Sequence, residues 1–185
     1  MRLLAISDLH LGDPVNRECF ASIGASPDDW LILAGDVSET EADLALAFGH
    51  LRSRFARVIW VPGNHELWTT DSTPGAIRGE ARYQALVALA RSFGVVTPED
   101  PYPIWPVSDH PLFIVPLFTL YDYTFRPDEV LADEVIAWAA EESSVCADEY
   151  LLHPRPILLE ALGARRVCSQ AKLALPHCRR IARPC

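Results

Sequence analysis

Three short apolar runs decide most of what this chain can fold into, because each halts abruptly at a polar cluster. Residues 2–6 run into Ser7-Asp8-Leu9-His10, residues 30–34 into Gly35-Asp36, and residues 58–61 into Pro62-Gly63-Asn64-His65-Glu66. Continuous apolar runs of this length predict parallel strands covered on both faces. Between them, residues 41–55 place Leu44, Phe48, Leu51 and Phe55 at spacings of four, three and four, an amphipathic helical stripe. Residues 79–93 do the same with Tyr83, Leu86, Ala90 and Phe93. Strand–helix–strand alternation with short links predicts an α/β fold with parallel pairing. Residues 95–116 are proline-rich, which confines a strand at 112–115 to a sheet edge. Residues 128–142 predict a further helix, with Val130, Ile136 and Trp138 available for burial.

At 185 residues, half of them apolar, the chain suits one domain with a real core. Its net charge of −9 argues against general nucleic-acid binding, which relies on clustered Lys and Arg. The charge is unevenly spread. Residues 1–153 hold nine Arg and no Lys against 24 acidic residues, a net −15. Residues 154–185 hold seven basic residues against Glu160 alone, a net +6. The five cysteines include no CxxC pair, so a disulfide framework is not expected. Cys168, His177, Cys178 and Cys185 do not have usual zinc-ligand spacing. No apolar run approaches the roughly 20 residues of a membrane span, and no signal peptide is read, so a cytoplasmic protein is expected.

Polar clusters at the carboxyl ends of strands are where open α/β sheets hold ligands. Asp8 and His10, two residues apart, can turn toward one point as their strand ends. Asp36 brings a carboxylate able to bridge two cations, Asn64 an amide oxygen, and His65 a group that can donate a proton. Mixed oxygen and imidazole donors suit Mn²⁺, Fe or Zn²⁺ better than Ca²⁺.

D-x-H, then GD, then GNHE, each after an apolar strand, resembles the calcineurin-like metallophosphoesterase superfamily. The resemblance runs from Met1 to about His153, and residues 63–68 and 118–127 also look like its bacterial members. It implies a two-sheet sandwich flanked by helices and hydrolysis of a phosphate mono- or diester at a dinuclear centre of two divalent ions. Asp8 and His10 would bind the first metal, Asp36 would bridge, Asn64 would bind the second, and His65 would be the catalytic acid. Substrate would be a small phosphorylated molecule or nucleotide.

The family completes its site with later histidines, ending in G-H-x-H. Here only His110, His153 and His177 follow His65, and none stands in that pattern. The basic stretch 154–185 is therefore expected to lie outside the family fold, as in a chain truncated or frameshifted after about residue 153. The alternative to an enzyme is a non-catalytic remnant or weak metal-binding module. A basic tail could also bind nucleic acid in a salt-dependent way. A sheet lacking later strands exposes an edge, so self-association is expected. Among single residues, Trp60 is assigned to the core and His50 to a surface or partly buried helix position. Trp68 is placed at the substrate mouth or in packing. Tyr121, Tyr123 and Arg126 lie in a loop that can reach substrate, Arg126 being suited to phosphate.

Overall fold

The computed structural model describes residues 1–69, 75–106, 112–120, 123–141 and 143–152. His110, Tyr121, His153, His177 and the stretch 154–185 lie outside the described residues. The order is β1 (Leu3–Ile6), α1 (Pro14–Ala21), β2 (Ser26–Ala34), α2 (Glu41–Arg52), β3 (Phe55–Val61), a 3₁₀ turn (His65–Leu67), and α3 (Gly79–Ser92). After these come β4 (Ile104–Trp105), β5 (Leu112–Phe113), α4 (Val135–Glu141) and α5 (Asp148–Leu151).

The first three strands form a parallel sheet in the order β1-β2-β3. An isolated parallel bridge between Ile59 and Val96 extends it beyond β3. β4 and β5 pair separately as a short antiparallel ribbon.

The sheet has two apolar faces, as a parallel sheet must. Leu31, Leu33, Val58 and Trp60 belong to the buried cluster with Leu44, Phe48 and Leu51 of α2 and Leu86, Val87 and Ala90 of α3. Phe48 meets Trp60 edge to face at 5.4 Å. The alternating residues Ile32, Ala34, Ile59 and Val61 line a cleft of about 310 Å³ whose far wall is residues 114–117. Fully burying one large apolar side chain contributes on the order of 1.5–3 kcal/mol, so the helix-side face carries most of the stability.

Helix ends follow local chemistry. α2 starts where the Thr40 hydroxyl accepts from the Asp43 N–H at 3.1 Å, with Glu41 and Asp43 favourably placed in the first turn. Residues 53–55 were expected to continue this helix. Instead the helix stops at Arg52, and Phe55 opens β3, burying its ring as a strand residue. α1 is a helix that the apolar spacing did not announce. Its signal lies in Asp13-Pro14, where the Asp13 carboxylate accepts from the N–H groups of Val15 and Asn16, with Pro14 at the first helical position. Among the described residues, the helix expected over 128–142 is observed at Val135–Glu141. Val130 and Val135 are buried, but Trp138 is exposed, because this short helix presents that residue away from the core.

Candidate metal centre

All three polar clusters gather at the carboxyl ends of β1, β2 and β3. The loops beyond β1 and β2 stay zipped together past the strands. Asp8 N–H donates to the Gly35 carbonyl at 3.1 Å, His10 N–H to that of Asp36 at 3.0 Å, and Leu11 N–H to that of Val37 at 2.8 Å. This pairing requires an unusual backbone: Asp8, His10 and Asp36 have φ of 56°, 41° and 53°. Non-glycine residues adopt this region rarely and at a cost, and such strain concentrates at functional sites.

The second and third loops touch back to back. Gly35 has φ of 82°, and a Cβ there would stand 2.7 Å from the Gly63 nitrogen. A Cβ on Gly63 would fall 2.1 Å from Asp36 Oδ1. Both glycines are therefore required by contact, and the contact brings Asp36 to the turn that carries His65. The His65 N–H donates to Asp36 Oδ1 at 3.2 Å.

Beneath this junction lies Glu66, which is fully buried. Its carboxylate accepts from the N–H groups of Asp36 at 3.1 Å, Val37 at 2.9 Å and Gly63 at 2.8 Å. Burial pushes its carboxyl up, and the Asp36 charge adds to this, against the opposing pull of the backbone donors. Arg82 of α3 closes the frame from outside. Its Nε donates to the Glu66 carbonyl and its Nη2 to the Glu39 carbonyl, both at 2.7 Å.

The result is a convergence of His10, Asp36 and His65, whose ligand atoms all lie within 4.8 Å of one another. Their mixed nitrogen and oxygen donors fit a transition-metal ion. The rings of His10 and His65 meet edge to face at 4.6 Å. Asp8 is exposed and sits in the same turn as His10 but outside this group. Asn64 adjoins it, with Nδ2 donating to both carboxylate oxygens of Asp148 at 2.9 and 3.1 Å. Trp68 packs on the His65 ring at 3.6 Å and donates through its indole N–H to Asp148. Arg126 uses Nε and Nη1 on the carbonyls of Val130 and Tyr123 in its own loop, and neither contact is with the cluster.

Three participants were not assigned a role from sequence. Glu39 meets His65 Nδ1 at 2.8 Å. Partial burial pushes the Glu39 carboxyl up, but the bond to His65 and neighbouring contacts outweigh it and hold it below its ordinary value. Glu66 was visible as the last letter of GNHE, yet its work is to bind backbone. Asp148 stands 84 positions from Asn64, and no local signal links them.

A sequence model of the calcineurin-like phosphoesterases matches residues 1–158. The chain belongs to the calcineurin-like phosphoesterase family. Among curated relatives in that family, it is 51% identical over 156 residues to the [acyl-carrier-protein] phosphodiesterase PptH of Mycobacterium tuberculosis. That match covers 83% of this chain and 48% of the relative, so the chain spans about half the relative's length. The crystal structure of phosphopantetheinyl hydrolase (PptH) from Mycobacterium tuberculosis aligns with a TM-score of 0.80 and 46% identity. The alignment covers 95% of this chain and 64% of that one. The parallel sheet and its flanking helices are thus those of a calcineurin-like phosphoesterase. Among the described residues, no helix is long and apolar enough to cross a membrane.

Proposed function

We propose that this chain carries the metal-binding half of a metal-dependent phosphodiesterase. The observation behind it is the convergence of His10, Asp36 and His65 at the ends of three parallel strands. In this reading Asp8, His10, Asp36 and Asn64 hold two divalent ions of the Mn, Fe or Zn kind. Ions bound there would supply Lewis acidity at the phosphoryl oxygens of the substrate. His65 protonates the leaving oxygen. Glu39 on Nδ1 orients its imidazole, leaving Nε2 to carry the proton. Trp68, stacked on that imidazole, limits its rotation and borders the substrate mouth. Arg126 is assigned to phosphate contact only through rearrangement of its loop, since two of its nitrogens serve carbonyls there.

The relatives' names suggest the substrate class: a phosphodiester on an acyl-carrier protein that bears a phosphopantetheinyl group. We place the protein in the cytoplasm. We place a boundary near His153, with the basic stretch 154–185 outside the catalytic fold, on the switch from a net −15 over residues 1–153 to +6 over 154–185. Hydrolysis of bis(p-nitrophenyl) phosphate with added Mn²⁺ tests the reading. Metal-dependent turnover that vanishes in Asp36→Asn is expected, and its absence from the native chain would overturn catalysis by this form. A second reading, a non-catalytic metal-binding module, is favoured by the ligand group of His10, Asp36 and His65, which suits a single ion. It predicts Mn²⁺ binding without turnover.

A further inference from the structure

Asp148 is a buried carboxylate with only 4% of its surface exposed. It lies on α5, far in sequence from the residues it holds. We propose that Asp148 is a positioning residue that fixes both the Asn64 amide and the Trp68 indole against the metal centre. The inference rests on the assignment of Asn64 as a ligand made above.

An ionised carboxylate can only accept hydrogen bonds. Asn64 must therefore turn its NH₂ toward Asp148, and both carboxylate oxygens receive it. The amide is planar, so Oδ1 is left as the atom offered to a cation. Without Asp148, the amide could flip and present its nitrogen, which is no metal ligand. The same carboxylate takes the indole N–H of Trp68, a group that can only donate. Trp68 in turn lies 3.6 Å from the His65 ring. One side chain thus sets the orientation of a candidate ligand and of the aromatic plate on the candidate acid.

The helix bearing Asp148 is itself tied to this loop. Thr69 N–H donates to the Leu151 carbonyl at 3.0 Å, and the Tyr123 hydroxyl donates to neighbouring Glu149 at 2.8 Å. The segment 143–152 therefore acts as a brace on the GNHE turn, and groups that orient metal ligands commonly govern affinity tenfold or more.

The test uses the full chain with Asp148→Ala, Asp148→Asn, Asn64→Ala and the Asn64→Ala/Asp148→Ala double variant. Mn²⁺ affinity is read by electron paramagnetic resonance, and ¹⁵N–¹H spectra are recorded without metal. Asp148→Ala should weaken Mn²⁺ about tenfold or more, and the double variant should be no worse than Asn64→Ala alone. Leu86→Ala, a core truncation remote from these contacts, should lower the melting temperature but leave affinity within about twofold. That separates positioning from general damage. Affinity of Asp148→Ala close to native, or losses that simply multiply in the double variant, would overturn the proposal. If the native chain takes up no Mn²⁺, or Asn64→Ala binds it normally, the ligand assignment is what fails. The spectra then decide for Asp148: the Asn64 amide pair and Trp68 indole signal should move in Asp148→Asn, and unmoved signals refute the brace.

Discussion

Three of the five described non-glycine residues with positive φ are Asp8, His10 and Asp36, all candidate ligands. For Asp this region is tolerable, because a short polar side chain bonds locally; for His the cost is steeper, about 1–2 kcal/mol. His10→Gly should therefore keep or raise metal-free stability by up to about 1 kcal/mol while weakening Mn²⁺ binding. Urea unfolding in EDTA and a metal titration check the two halves separately. Gly35→Ala runs the other way: positive φ and a backbone clash act together, and a loss of about 2–4 kcal/mol is expected in the same unfolding assay. At Glu66, replacement by Gln would set an NH₂ against N–H donors deep in the fold. We expect a loss of about 2–3 kcal/mol and weaker Mn²⁺ uptake, read by calorimetry.

At the scale of elements, α2 owes its start to a compact polar knot. Asp43 receives the hydroxyls of Ser38 and Thr40 and the Arg17 guanidinium, the last at 2.6 Å. Burial raises its carboxyl, but these three donors outweigh it and hold the group below its ordinary value. A depressed carboxyl contributes stability that is present above the unfolded value, about 3.9, and lost as pH falls through the folded one. Asp43→Asn should thus cost about 1–2 kcal/mol at pH 6, the gap narrowing below about pH 4 in denaturant titrations. The three parallel strands and the helices α2 and α3 were legible in sequence because their apolar period is set by a core on one side and a second apolar face on the other. Asp36, His10 and His65 were legible for a different reason, since strand ends are where a parallel sheet leaves room for polar side chains. What escaped was what periodicity does not encode. α1 rests on an Asp-Pro cap, Glu39 and Asp148 act through space, and α4 is short and presents Trp138 outward. The inclusion of His65 among the ligand atoms likewise depends on a turn whose geometry only the folded backbone defines.

For the whole molecule, the apolar surface is unevenly shared. Leu112, Phe113, Val115 and Leu117 are each more than 40% exposed beside the cleft lined by Ile32 and Ile59, and β1 pairs with β2 alone among the described strands. We expect concentration-dependent self-association, seen by light scattering and reduced by Leu112→Lys or Leu117→Lys; a monodisperse monomer at high concentration would contradict it. The contact between Gly35 and Gly63 has a further effect on how the molecule assembles. A sheet of apolar strands carries little information about which residue should lie opposite which. If β3 slid by one residue against β2, Asn64 would arrive where Gly63 belongs, and its Cβ would meet the Asp36 carboxylate with no space to occupy. The turns that gather the cluster thus serve as a key for strand alignment, admitting one register and rejecting its neighbour before any ion is bound.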